Sequence, residues 1–234
     1  AIFAVKGGIS SGIIKTNNYD SKNIATGDAR DIKSSSSDVQ KEESEENNEN
    51  IRYETFPIEN KILDKDSYYD YSNSKLAWYM VRKDNHEPTG CDDTIDIYQY
   101  GGYHVDKNAK AEDKVLYLTF DCGYENNYTS QILDVLKEQN VPACFFVTQT
   151  YIRDNIDLTK RMKEEGHQVG NHTITHPSMP ERSYEEIIEE INGCAKYMAE
   201  NTGYDMDPYL RPPMGEYSQR TLKITQDLGY KTIF

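Results

Sequence analysis

Three short blocks in the second half of the chain carry residues that could do hydrolytic chemistry. Asp121 ends the β-branched and aromatic run Val115-Leu116-Tyr117-Leu118-Thr119-Phe120 and is followed by Cys122 and Gly123. Such a run reads as a buried strand that delivers one carboxylate to a sheet edge, where a glycine lets the backbone turn. His172 and His176 stand four apart in Gly170-Asn171-His172-Thr173-Ile174-Thr175-His176-Pro177, and Arg211 precedes the stiff Pro212-Pro213 pair. An H-x-x-x-H pair can set two imidazoles on one side of a helical turn, a sound way to hold a divalent metal. Thr173 directly after His172 excludes the HExxH pattern of metalloproteases. A carboxylate near such a metal can serve as a general base toward water. Each block has a plainer reading by itself: a strand-end Asp capping its turn, two unrelated loop histidines, and an arginine that pairs with an acid for the fold alone.

The elements that must position these residues alternate. Strand Val115–Phe120 precedes a helix over Ser130–Gln139, with Thr129 as its N-cap and Ile132, Leu133 and Leu136 on one face. Pro142 opens a second buried strand, Ala143–Val147, and a helix over Leu158–Glu165 stops at Gly166. The short segment His167–Gly170 leads into the two histidines. Ser183-Tyr184-Glu185-Glu186 is a capping box for a helix running to Glu200, Ser218 caps another that ends before Gly229, and Tyr230–Phe234 begins a strand. Repeated βα units of this length require a parallel sheet, open or closed into a barrel. In either form Asp121, the histidines and Arg211 fall at or just after strand ends, where functional groups of β/α folds collect.

Taken together, the three motifs in this order resemble the NodB-homology polysaccharide deacetylases, carbohydrate esterase family 4. The wording Thr119-Phe120-Asp121-X-Gly123-Tyr124-Glu125-Asn126 with Arg211-Pro212-Pro213-X-Gly215 is most similar to the delta-lactam-biosynthetic de-N-acetylases, which act on muramic acid of spore-cortex peptidoglycan. This resemblance covers about half the chain and implies an irregular, partly closed β/α barrel. It also implies metal-dependent hydrolysis of N-acetyl groups, with zinc the expected ion. His172 and His176 would be its ligands, Asp121 the base, Arg211 the partner that orients Asp121, and the backbone N–H of Met214 a donor to the oxyanion. Most of the family has a second Asp where Cys122 stands. The thiolate is one candidate for that ligand place, and a buried Cys that leaves the place to water or Asp121 is the other. The chain stops at Phe234, before the family's Asp-Trp and Leu-X-His motifs, which implies an incomplete deacetylase domain that is inactive by itself. Other N-acetylated glycans, such as chitin or the N-acetylglucosamine of peptidoglycan, and a non-catalytic glycan-binding role are the alternatives.

The 234 residues suffice for one domain of ordinary size with extensions. A net charge of -14 argues against nucleic acid or an anionic membrane surface as partner. Much of it lies in the acidic tract around Glu42–Asn50, and residues 1–55 read as a disordered leader or linker. Ala1–Val5 suits either the tail of a signal or anchor segment or a fragment boundary. Residues 56–112 are rich in tyrosine and hold the only tryptophan, Trp78. They read as an extension packed on the catalytic domain, with carbohydrate stacking as the sharper alternative. Residues 113–234 form the deacetylase domain. The four cysteines show no dense framework or CxxC spacing, so reduced thiols are expected. His104 and His167 have no catalytic assignment. No stretch is long enough to span a bilayer. A peptidoglycan hydrolase of this kind would be a monomer acting outside the cytoplasm, in association with the forespore.

Overall fold

The computed structural model describes residues 64–84, 87, 89–91, 94–108 and 115–234. The leader, Ala1–Val5 and the acidic tract lie outside the described residues. The described residues contain eight strands: β1 (Leu76–Ala77), β2 (Gly102–Tyr103), β3 (Thr119–Cys122), β4 (Cys144–Val147), β5 (Gln168–Asn171), β6 (Tyr209–Leu210), β7 (Glu216–Tyr217) and β8 (Lys231–Ile233). Among the described residues five α-helices accompany them: α1 (Thr129–Glu138), α2 (Gln149–Asp154), α3 (Ile156–Glu164), α4 (Tyr184–Thr202) and α5 (Gln219–Asp227).

Six strands form one parallel sheet in the order β2-β8-β6-β5-β4-β3, while β1 and β7 pair antiparallel beside it. Among the described residues the sheet is open, with β2 and β3 at its edges. The apolar run of β4 explains its interior place: Phe145, Phe146 and Val147 are fully buried, as a strand covered on both faces requires. Its neighbour β5 passes close because Gly170 has no side chain. A Cβ there would lie 2.8 Å from the Phe146 ring and 3.0 Å from the Tyr209 carbonyl oxygen.

The helices begin where side chains satisfy their first N–H groups. Ser183 and Glu186 form the expected capping box at α4, and Ser218 accepts from Thr221 N–H at α5. The start of α1 differs from expectation: Thr129 lies inside the helix, and Glu125 Oε1 accepts from Tyr128 N–H and Thr129 N–H at 2.8 and 3.2 Å. A carboxylate four residues upstream thus does the work expected of the threonine hydroxyl. The six-residue α2, capped by Thr148, was not expected, because it is too short to show a periodic face.

Strand β3 also shifts. It starts at Thr119 and includes Asp121, while Val115, Leu116 and Leu118 are exposed. Among the described residues it is an edge strand that pairs only with β4, from Thr119↔Cys144 to Cys122↔Val147, so the ladder and not the apolar run sets its limits. Residues 64–73 lie against α4 and α5. Tyr68 stacks on Tyr184 and donates to Asp227 Oδ2 at 2.8 Å, and Asn73 joins Pro180 and Ser218 through hydrogen bonds of 2.8 Å. Cys122, Cys144 and Cys194 are free thiols. No helix among the described residues is long and apolar enough to cross a membrane.

Candidate active site

At the C-terminal ends of β3, β5 and β6, Asp121, His172, His176 and Arg211 line one pocket of about 680 Å³, together with Met214 and Trp78. The sheet explains the convergence. Parallel strands point their C-termini the same way, and β3, β4, β5 and β6 are consecutive neighbours, so residues 90 positions apart in sequence meet at one edge.

The carboxylate of Asp121 is held by Arg211, which follows the C-terminal end of β6. Arg211 Nη1 donates to Asp121 Oδ1 at 2.7 Å, and Nη2 donates to Thr119 Oγ1 at 3.0 Å. Arg211 Nε reaches the Ile233 carbonyl oxygen at 3.4 Å, and the guanidinium lies 4.3 Å over the Phe146 ring. One face and all three nitrogens of the planar group therefore have distinct neighbours, a use to which lysine is unsuited. The arginine side chain is 12% exposed and the aspartate 48%, so the clamp is built into the protein while the carboxylate opens to the pocket. Thr119 was missed as a clamp residue, although it shares Asp121's face of the strand by the period of two.

The two imidazole rings lie 4.7 Å apart, edge to face. The expected helical turn is absent: Thr173 and His176 have φ of 70° and 58°, and residues 172–178 after β5 form a loop. Left-handed backbone breaks the helix and still brings the rings together. His172 Nδ1 donates to the Arg211 carbonyl oxygen at 2.8 Å, since the carbonyl can only accept. Its lone pair is thereby placed on Nε2. Burial pushes the His172 imidazole below its ordinary value, against the pull of the Asp121 charge, and so favours the neutral ring that binds metals.

Met214 lies in the pocket wall with φ of 57°, beside Gly215 at 66°. A Cβ on Gly215 would come within 3.2 Å of Trp78 Cβ, and Trp78 N–H donates to the Gly215 carbonyl at 2.7 Å. The Trp78 ring stacks on Phe234 at 4.7 Å. Thus a tryptophan more than 40 positions before Asp121 lines the same pocket; being the chain's only tryptophan was its one mark in the sequence.

Cys122 is not brought to the histidines. It faces away from Asp121 into the apolar cluster of Leu133, Phe145 and Tyr151, is 8% exposed, and does not line the pocket. Burial first, and then the neighbouring Asp121 charge, push its thiol up to about 12. Among the described residues no group of three or more His, Cys, Asp or Glu side chains is arranged as a metal cage. The donors that remain fit a divalent ion held by two imidazoles, with oxygen from water or Asp121 filling the other positions. His167 and His104 stand apart: His167 Nδ1 accepts from Ala143 N–H at 3.2 Å, and His104 packs on Trp78 with Cys91 Sγ 3.4 Å from its Nε2.

This chain belongs to the polysaccharide deacetylase family, whose model matches residues 108–233. It is similar to the peptidoglycan-N-acetylmuramic acid deacetylase PdaA of Bacillus subtilis, with 38% identity over 69% of this chain. The chain spans 61% of the length of that relative. The solved structure of PdaA, a family 4 carbohydrate esterase, superposes with a TM-score of 0.65, covering 70% of this chain and 69% of that one. A family 4 carbohydrate esterase from Bacillus anthracis gives a TM-score of 0.60 at 40% identity, covering 70% and 74%. The peptidoglycan-N-acetylglucosamine deacetylase PgdA of Listeria monocytogenes is 36% identical over 52% of this chain and 25% of its own length.

Proposed function

We propose that this protein removes N-acetyl groups from peptidoglycan amino sugars, with N-acetylmuramic acid as substrate, in the reaction that prepares the muramic delta-lactam of spore cortex. The observation that carries this reading is the Asp121–Arg211 ion pair in one pocket with the His172–His176 pair. A glycan binder has no need of a clamped carboxylate beside two paired imidazoles. The muramic acid preference is supported by the likeness to PdaA. A substrate of this kind places the reaction outside the cytoplasm, with the forespore as the site of action.

His172 and His176 are the proposed ligands of one divalent metal, zinc by the nature of two imidazole donors. That ion supplies Lewis acidity, polarising the acetyl carbonyl and making water more acidic. Asp121 takes the proton of the attacking water as its oxygen bonds to the acetyl carbon, and Arg211 keeps the carboxylate aimed at that position. The C–N bond then breaks, acetate leaves, and the freed nitrogen takes the proton that Asp121 had accepted, becoming the amine. The backbone N–H of Met214 is the proposed donor to the oxyanion formed on the carbonyl oxygen. Base catalysis of this type contributes roughly 10²- to 10⁴-fold.

The test is acetate release by the full-length protein from peptidoglycan stripped of its stem peptides, compared with intact peptidoglycan and chitin oligomers. Fastest release from the stripped material supports muramic acid as substrate. Equal or faster release from chitin oligomers would replace it with an N-acetylglucosamine substrate, and no release from any of them would overturn the enzymatic reading.

A further inference from the structure

We propose that Glu190, on the face of α4 that meets the turn after β5, is a positioning residue that sets the spacing of His172 and His176; this rests on the reading that these histidines hold the metal. The turn between them has no ladder to shape it. Its four N–H groups, Thr173 to His176, all go to side-chain oxygens: Thr173 to Asn171 Oδ1 at 2.9 Å, Ile174 and Thr175 to Glu190 Oε2 at 2.8 and 2.9 Å, and His176 to Thr173 Oγ1 at 3.1 Å. Thr175 Oγ1 also donates to Glu190 Oε1 at 2.5 Å. One carboxylate thus takes three of the turn's donors, and charge-assisted bonds of this kind are the stronger sort.

The conformation that these bonds fix is one the residues would not adopt by themselves. Thr173, β-branched, and His176 both sit in the left-handed region, where non-glycine residues are uncommon. Helix α4 supports the turn in two further ways. The Ile191 carbonyl accepts from Asn171 Nδ2 at 2.8 Å, which orients the side chain that binds Thr173 N–H. Gly193 leaves room for Ile174, whose Cδ1 would be only 2.6 Å from a Cβ at that position. His176 depends most on this arrangement. His172 is buried and tied to Arg211, whereas His176 is exposed, so its ring direction follows from the backbone that Glu190 holds.

The experiment compares wild type, Glu190→Ala and Glu190→Gln for Zn²⁺ affinity by chelator competition, for the visible spectrum of the Co²⁺-substituted protein, and for hydrogen exchange at the Ile174 and Thr175 amides without metal. Glu190→Ala should weaken Zn²⁺ binding by roughly 10- to 100-fold, the usual effect of losing a group that orients a metal ligand. It should also change the Co²⁺ spectrum and speed exchange at the two amides. Glu190→Gln should recover most of the affinity, because its carbonyl oxygen can accept both N–H groups while its amide faces the Thr175 hydroxyl. Wild-type affinity and spectrum in Glu190→Ala would overturn the proposal. Should that variant not fold, Glu190→Asp carries the test: its shorter side chain should weaken Zn²⁺ binding, and unchanged binding overturns the proposal. Absence of Zn²⁺ binding in wild type would instead overturn the metal reading, and this inference with it.

Discussion

The main chain of Arg211 accepts a hydrogen bond from His172 Nδ1 at 2.8 Å, while its side chain donates to Asp121 at 2.7 Å. One residue on the segment after β6 therefore orients a proposed metal ligand with its carbonyl and a proposed base with its guanidinium. Since the two functions use different atoms, side-chain changes at Arg211 should disturb one and spare the other.

His172→Ala and His176→Ala should each lower zinc content, and the double variant should bind none that survives dialysis. The effect should exceed that of any change around Asp121, because only the imidazoles supply strong nitrogen donors here. Metal analysis by mass spectrometry checks this. Full zinc content in the double variant would remove both histidines from the site.

Asp121→Asn should keep zinc and lose turnover by about 10²-fold or more, the scale of a missing general base. Arg211→Lys should behave alike, with zinc retained through the unchanged carbonyl and turnover lower on the order of 10²-fold from a misaimed carboxylate. Acetate release at matched zinc content measures both. Full activity in Asp121→Asn would end its role as base, and zinc loss in Arg211→Lys would show that the two functions are not separable.

Cys122→Ala should leave zinc content unchanged and cost on the order of 1 kcal/mol of stability, as befits a small buried side chain. The reason is its direction: Asp121 and Cys122 are adjacent in a strand and so face opposite sides, one toward the pocket and one toward Phe145 and Leu133. Zinc loss in this variant, at unchanged folding, would make the thiol a ligand after all.

That alternation was open to view in the sequence, as were the parallel sheet, the capped α4 and α5, and the meeting of the three motifs at strand ends. What sequence patterns could not reveal is set by partners distant along the chain. The limits of β3 depend on its pairing with β4, not on the apolar run from Val115, and the start of α1 depends on Glu125. The spacing of His172 and His176 suits a helical turn, but Asn171 and Glu190 hold it as a loop with left-handed Thr173 and His176. Nothing local marks Glu190 among the many glutamates of its helix, and nothing local places Trp78 beside Gly215.

Stability near neutral pH should depend on His167. It is 3% exposed, its Nδ1 lone pair accepts Ala143 N–H, and the Phe145 ring meets it edge to face. Protonation would fill that lone pair and place a charge where, among the described residues, Nε2 has no hydrogen-bond partner. Burial accordingly pushes the imidazole below its ordinary value of 6.5. The sign follows from linkage: the unfolded chain takes up the proton at a higher pH than the folded one, so stability rises with pH across the gap. It is fully present above about 6.5 and declines as pH falls below that value toward the lower folded-state value. His167→Gln can still accept from Ala143 but cannot titrate, so its melting temperature should fall less than that of wild type between about pH 7.5 and about pH 5.5. Carboxylates that titrate in both proteins cancel in the comparison. Parallel curves for the two would show that His167 contributes nothing to the pH dependence.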